Sequence, residues 1–234
     1  MSNQYFDFKR FRIEQENCSM KVGTDGVLLG AWFPLEDGKS VLDIGTGTGL
    51  VAVMAAQRGA GRVTAVEIDP DAAGQAKMNA AASPWSDIIE VHCSDIAHFT
   101  ANAQFDRIVC NPPYFRDSLR CPDAGRNTAR HNDSLSYETL VKCSADMLEP
   151  GGLFCVVLPF DAVGEFTKCA AKEGLDLCRR TDVITSPGKQ PKRSLLAFSK
   201  QCHELQKEVL AICDSDGKET SDYINLVKEF YLKY

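Results

Sequence analysis

Residues 111–114 read Asn-Pro-Pro-Tyr and follow the run Phe105-Asp106-Arg107-Ile108-Val109-Cys110, which has the apolar character of a buried strand. Two consecutive prolines hold φ near about −65° and carry no backbone N–H, so their carbonyls are presented as acceptors. Asn111 adds a side-chain carbonyl and Tyr114 an aromatic face. Together Asn111, Pro112, Pro113 and Tyr114 make a grip for a planar –NH2 group. Two acceptors take its two hydrogens, and a ring stacks on the system that carries it. Such a grip turns the lone pair of an amide or exocyclic amine toward an electrophile.

A site for that electrophile is suggested upstream. Residues 41–50 read Val-Leu-Asp-Ile-Gly-Thr-Gly-Thr-Gly-Leu, a buried strand turning into a helix through Gly45, Gly47 and Gly49. Glycines there let a ligand approach the backbone closely. The dinucleotide fingerprint is G-x-G-x-x-G; here the frame is G-x-G-x-G, with Leu50 where its last glycine belongs. Asp43, just before the first glycine pair, suits an ammonium group better than a pyrophosphate. Glu67 closes the next strand-like run, Val63-Thr64-Ala65-Val66, where a carboxylate can take two ribose hydroxyls. Ile68 and Ile96, each following an acid at a strand end, are expected either to sandwich a purine or to pack in the core.

This set resembles the class I S-adenosylmethionine methyltransferases, and with Asn111-Pro112-Pro113-Tyr114 it resembles their amino-methyltransferase branch. Phe8-Lys9-Arg10-Phe11, the segment Met20 to Trp32, and Asn225-Leu226-Val227-Lys228-Glu229-Phe230-Tyr231-Leu232 resemble the bacterial tRNA(Val) adenosine N6-methyltransferase family. The likeness spans nearly the whole chain. It implies S-adenosylmethionine as cofactor, and as substrate a tRNA whose adenosine beside the anticodon is methylated. It also implies that Asp95 accepts from the adenine amine of the cofactor, and that Thr24 and Asp25 close over it. The same tetrapeptide serves guanine N2-methylation of ribosomal RNA and glutamine N5-methylation of release factors, so those substrates stay open. So does a non-catalytic module that binds the cofactor or RNA.

These residues must be held by a fold. The chain has 234 residues with a hydrophobic fraction of 44%, enough for one sizeable α/β domain. Strand-like and helical patterns alternate from Val41 onward, which implies βαβ units, a mostly parallel sheet, and a ligand at the carboxyl ends of its strands. Asp43, Glu67, Asp95 and Asn111 all fall at such ends. The expected architecture is a Rossmann-like three-layer sandwich, in which the family resemblance adds an antiparallel last strand. Residues 176–184 returning through 194–199 would supply it. Residues 1–35 read as an N-terminal extension packed on a single domain spanning 1–234. Within them, 5–13 alternate like one strand, and a helix opens near Asp25, capped by Thr24 or Asp25 and ended by Pro34.

No stretch approaches the roughly 20 apolar residues of a membrane helix, and Met1 to Tyr5 carry no apolar leader. The ten cysteines include no C-x-x-C pair, so we expect reduced thiols, no metal site, and a cytoplasmic protein, with a monomer favoured. Net charge is −6, yet cations cluster. Arg107, Arg116, Arg120, Arg126 and Arg130 lie in 107–131, while Arg179, Arg180, Lys189, Lys192, Arg193 and Lys200 lie in 179–200. Lys9, Arg10 and Arg12 form a third group. Of these, Arg116, Arg120, Arg126, Arg130, Lys189, Lys192 and Arg193 are the expected RNA contacts. His131 is expected to be dispensable, since a sulfonium is a strong enough electrophile without a base. The long polar segment 112–133 reads as a mobile loop.

Overall fold

The computed structural model describes residues 3–16, 18, 21–112, 135–201 and 204–234. The central sheet begins with β3 (Ser40–Ile44), after a two-stranded hairpin of β1 (Tyr5–Asp7) and β2 (Arg12–Glu14) and the helix α1 (Thr24–Trp32). Then follow α2 (Leu50–Gln57), β4 (Arg62–Glu67), α3 (Pro70–Ala82), β5 (Ile89–Cys93) and β6 (Phe105–Cys110). The second half comprises α4 (Tyr137–Met147), β7 (Leu148–Pro159), a 3-10 turn at Phe160–Ala162, α5 (Val163–Lys172), β8 (Asp176–Ile184), β9 (Arg193–Ser199), β10 (Gln206–Ala211) and α6 (Ser221–Val227).

The eight-stranded sheet runs β10-β8-β9-β7-β6-β3-β4-β5, and β9 alone is antiparallel to its neighbours. β3 is the first strand laid down, and the chain adds β4 and β5 on one side before crossing to β6 on the other. The expected antiparallel strand is therefore present as β9. It is not the last strand, because β10 adds a parallel edge beside β8. Chain direction in an edge strand depends on how the connection returns, which composition does not encode. Residues 5–13 form two strands rather than one: the chain reverses after Asp7, pairing Tyr5 with Glu14 and Asp7 with Arg12.

Side chains alternate across the sheet. Val41, Val63, Val109, Cys155 and Leu195 face α1 and α2, whereas Leu42, Ile44, Ile108, Phe154 and Phe198 face α4 and α5. α1 is buried nearly all round, with Gly26, Val27, Leu28, Leu29, Gly30 and Trp32 covered. Gly30 lets it lie directly on α2, since a Cβ there would stand 2.6 Å from Met54 Sδ. Trp32 Nε1 donates to Thr181 Oγ1 at 2.9 Å, and the Thr181 hydroxyl donates to Glu208 at 3.0 Å, tying α1 to β8 and β10. The hairpin is fastened to the C-terminal segment of the chain. Lys9 N–H donates to the Phe230 carbonyl at 2.8 Å, and Phe8 bridges to Tyr231.

None of the eight cysteines among the described residues is in a disulfide. None of the helices is long and apolar enough to cross a membrane, among the described residues.

Candidate active site

β3 and β6 are parallel neighbours with Ile44 opposite Cys110. The glycine turn leaves β3 at Gly45 and Asn111 follows the end of β6, so the two emerge side by side. This is the topological switch point of the sheet, the crevice where open α/β folds bind ligands.

The turn is fastened to the neighbouring strand by backbone bonds and closed by glycine conformations. Gly45 and Thr46 both donate to the Val66 carbonyl, at 2.8 and 3.1 Å. Gly45, Gly47 and Gly49 have φ of 67°, 56° and 81°, in the left-handed region that a Cβ disfavours. A Cβ on Gly45 or Gly47 would meet nothing within 4 Å, so open space lies against the turn. A Cβ on Gly49 would touch Ala76 of α3 at 3.4 Å. The turn is thus packed on one side and bare on the other, which fits a nucleoside cofactor laid against its backbone.

Glu67 frames that space. Its Oε2 accepts from Gly47 N–H at 2.8 Å and its Oε1 from Asp69 N–H at 3.0 Å. Each oxygen keeps a second lone pair that can accept a further hydrogen bond. Ile68, next in sequence, is 60% exposed at the mouth of the crevice, whereas Ile96 is buried in the core on the α4 side. Asp95 is half-buried, and its Oδ1 accepts from Ala97 N–H at 2.9 Å, holding the turn that follows β5.

Asp43, expected to serve an ammonium group either directly or through a neighbouring group, is turned away from the open side of the turn. It is 1% exposed and faces α2: Oδ2 accepts from Thr46 Oγ1 at 2.6 Å and from Ala52 N–H at 3.1 Å. Burial, against the help of those two bonds, pushes its carboxyl up to about 7. Its role in the geometry is to clamp the turn onto the start of α2. Thr46, the residue between the first two glycines, escaped sequence reasoning; a hydroxyl three residues after a buried acid was its signal.

Asn111 is partly exposed and Pro112 is buried. A Cβ on Gly26 would stand 3.7 Å from Asn111 Nδ2 and 3.1 Å from Leu50 Cδ2, so the first turn of α1 walls one side of the amide. That helix is preceded by Gly23 with no side-chain cap, not capped by Thr24 or Asp25. Asp25 instead meets Arg193, at the start of β9, in an ion pair lacking the alignment of a hydrogen bond. Arg193 is thereby paired with a carboxylate. Pro113, Tyr114, Arg116, Arg120, Arg126, Arg130 and His131 lie outside the described residues, as does all but the first residue of the segment 112–133.

The remaining cations divide. Arg107 is buried at the opposite end of the sheet, bonded to the Pro34 carbonyl at 2.6 Å and paired with Glu36. Arg179 pairs with Glu208, Arg180 with Asp182, and Lys200 donates to the Leu148 carbonyl. Lys189 and Lys192 stand exposed in the β8–β9 loop. Among the described residues, no cluster of metal-ligating side chains is present.

Residues 19–161 match the methyltransferase small domain. A tRNA1(Val) (adenine(37)-N6)-methyltransferase of Bacteroides fragilis is 50% identical over the full length of both chains. One from Yersinia pseudotuberculosis is 43% identical, covering 98% of this chain and 92% of its own. The chain belongs to the tRNA1(Val) (adenine(37)-N6)-methyltransferase family. Solved structures share the family's fold at low identity. A predicted O-methyltransferase from Agrobacterium tumefaciens superposes with a TM-score of 0.70 at 18% identity, covering 88% of this chain and 96% of that one. The glycopeptide N-methyltransferase MtfA, solved with S-adenosylmethionine, gives 0.57 at 15% identity over 77% and 89%.

Proposed function

We infer that this chain methylates N6 of adenosine 37 in tRNA1(Val), with S-adenosylmethionine as the methyl donor. The observation that carries the reading is the register of β3 against β6, which sets a bare glycine turn beside Asn111. When bound, S-adenosylmethionine supplies an activated methyl group on a sulfonium.

The chain's residues position the two reactants. The backbone of Gly45 to Gly49 lies against the methionine portion, with Asp43 and Thr46 fixing its course. The carboxylate of Glu67 takes the ribose hydroxyls, while Ile68 and Asp95 meet the adenine. Thr24 and Asp25, at the first turn of α1, border the site rather than cap the helix. On the substrate side, the Asn111 side-chain oxygen and the Pro112 carbonyl accept the two amine hydrogens, Pro113 stiffens the turn, and Tyr114 stacks on the purine. A base in a tRNA loop is already partly unstacked, which lowers the cost of extruding it. An amine lone pair is normally delocalised into the ring. Two fixed acceptors favour the more cationic transition state and aim that lone pair outward. Proximity and alignment supply much of the remainder. Exposed Lys189 and Lys192, with Arg116, Arg120, Arg126 and Arg130, contact the phosphates.

The test is methyl transfer from labelled S-adenosylmethionine to tRNA from cells lacking this gene, followed by nucleoside analysis. N6-methyladenosine in tRNA1(Val) is the expected product. Label confined to ribosomal RNA or to a release factor would overturn the substrate and keep the amine chemistry.

A further inference from the structure

β7 runs past β6 toward the reaction end of the sheet and stops at Pro159, opposite Arg193. Phe160 follows on the 3-10 turn. Its N–H donates to the Lys192 carbonyl at 3.2 Å, so the turn is fastened to the β8–β9 loop. Its side chain is not tucked into the core: Phe160 is 37% exposed, although Phe154 and Phe166, six residues before and after it in the sequence, are fully buried. Exposed apolar residues scattered singly need no explanation. This one differs in its surroundings. The Arg180 guanidinium carbon lies 5.1 Å from the ring centroid. Arg180 is held there by a 2.7 Å bond to Asp182, which itself accepts from Ser194 Oγ at 2.5 Å. Lys189 and Lys192 stand exposed on the adjoining loop.

An open aromatic ring, backed by a fixed guanidinium and flanked by lysines, is the composition of a stacking platform for a nucleic-acid base. Its position sets which base. Cys110 is level with Val156, so Asn111 is level with Val157, and Phe160 stands three residues further on. At about 3.3 Å per residue and about 4.8 Å between strands, the two sites lie on the order of 11 Å apart. That is too far for the target adenine and within reach of its neighbours on the strand.

We propose that Phe160, backed by Arg180, stacks on a nucleotide flanking the target adenosine and so helps hold the anticodon loop open on the enzyme. The proposal rests on the tRNA reading above and deepens it. Asp161 and Asp182 offset part of the local positive charge, so stacking rather than charge carries the contact at this point. The lysines supply the salt-dependent part. Stacking is sequence-tolerant, since every base has a π-face.

The test is steady-state methylation of tRNA by the full-length chain and by Phe160→Ala and Phe160→Trp, with S-adenosylmethionine affinity and melting temperature measured on each. The expected result is that Phe160→Ala raises KM for tRNA roughly 5- to 150-fold. Affinity for S-adenosylmethionine and kcat stay at the parent values, and Phe160→Trp restores KM. The salt slope of tRNA binding should be unchanged in Phe160→Ala and should fall by about one for each lysine removed in Lys189→Ala and Lys192→Ala. Parent-like KM in Phe160→Ala overturns the platform alone. A loss of melting temperature and cofactor affinity without a KM effect also overturns it, by assigning Phe160 to packing. A parent chain that transfers nothing to tRNA overturns both this proposal and the function on which it rests.

Discussion

The side-chain amide of Asn79 donates to the Thr48 carbonyl inside the glycine turn at 2.8 Å. The same nitrogen donates to the Glu14 carbonyl at 2.8 Å, while its oxygen accepts from Glu14 N–H at 2.9 Å. One buried amide on α3 therefore joins the N-terminal hairpin to the wall of the cofactor crevice. Replacing it by alanine leaves buried backbone groups unpaired, at about 1–3 kcal/mol each. We expect Asn79→Ala to weaken S-adenosylmethionine binding about tenfold and to lower the melting temperature. Asn79→Asp should be worse despite its closer shape, because a carboxylate would face two carbonyl oxygens. Calorimetric titration with the cofactor checks both, and equal affinities in parent and variants would refute the coupling.

Gly45 and Gly38 supply a matched pair. Both have left-handed φ, 67° and 78°, and a Cβ on either would meet nothing within 4 Å. Alanine at each position should therefore cost the same backbone strain, about 1–2 kcal/mol. Only at Gly45 does the new methyl enter the space assigned to the cofactor. Gly45→Ala should lose cofactor binding by at least an order of magnitude, and Gly38→Ala should keep it. Thermal melts together with binding isotherms decide this; comparable cofactor affinity in the two variants would place the binding site elsewhere.

Asp43 makes stability depend on pH. Its carboxyl is raised to about 7 when folded, chiefly by burial, against about 3.9 unfolded. The folded state thus binds the proton more tightly. Its contribution is fully present below about pH 4 and is lost as pH rises toward 7, on the order of 4 kcal/mol at about 1.4 kcal/mol per unit. Asp43→Asn keeps an acceptor for Thr46 and Ala52 and carries no charge. The cofactor-free variant should melt several degrees above the parent at pH 8 and show much less advantage at pH 5. A constant difference across that range would mean that Asp43 does not titrate there.

Much of this was readable in the sequence because buried parallel strands announce themselves. Val41–Ile44, Val63–Val66 and Ile108–Cys110 are apolar on both faces, and the acids and glycines that follow them mark the carboxyl ends. What the sequence withheld were directions in space. Asp43 stands in the right place for a cofactor ligand, but alternation along β3 points it with Val41 toward α2. Arg193 reads as a free cation until β9 places it against Asp25, a partner 168 positions earlier in the chain. Asn79 was legible in principle. It shares the helical face of Ala72, Ala76 and Ala80, and a polar side chain inside an apolar stripe signals a buried bond.

Asn111 tests the chemistry itself. It sits one residue beyond the Ile44–Cys110 pair, at the rim of the crevice, with Gly26 against its amide nitrogen. If its oxygen accepts an amine hydrogen in the transition state, Asn111→Ala removes one preorganised contact at the reacting nitrogen. Such contacts are worth about 3–4 kcal/mol, a fall in kcat of roughly two to three orders of magnitude. Cofactor affinity should not change, because the Gly45–Gly49 turn and Glu67 are untouched. Asn111→Asp should recover part of the rate, since the carboxylate still accepts and its charge favours a cationic transition state. Single-turnover methylation with saturating tRNA separates chemistry from binding. A near-parent rate in Asn111→Ala would show that the amine is held by other groups.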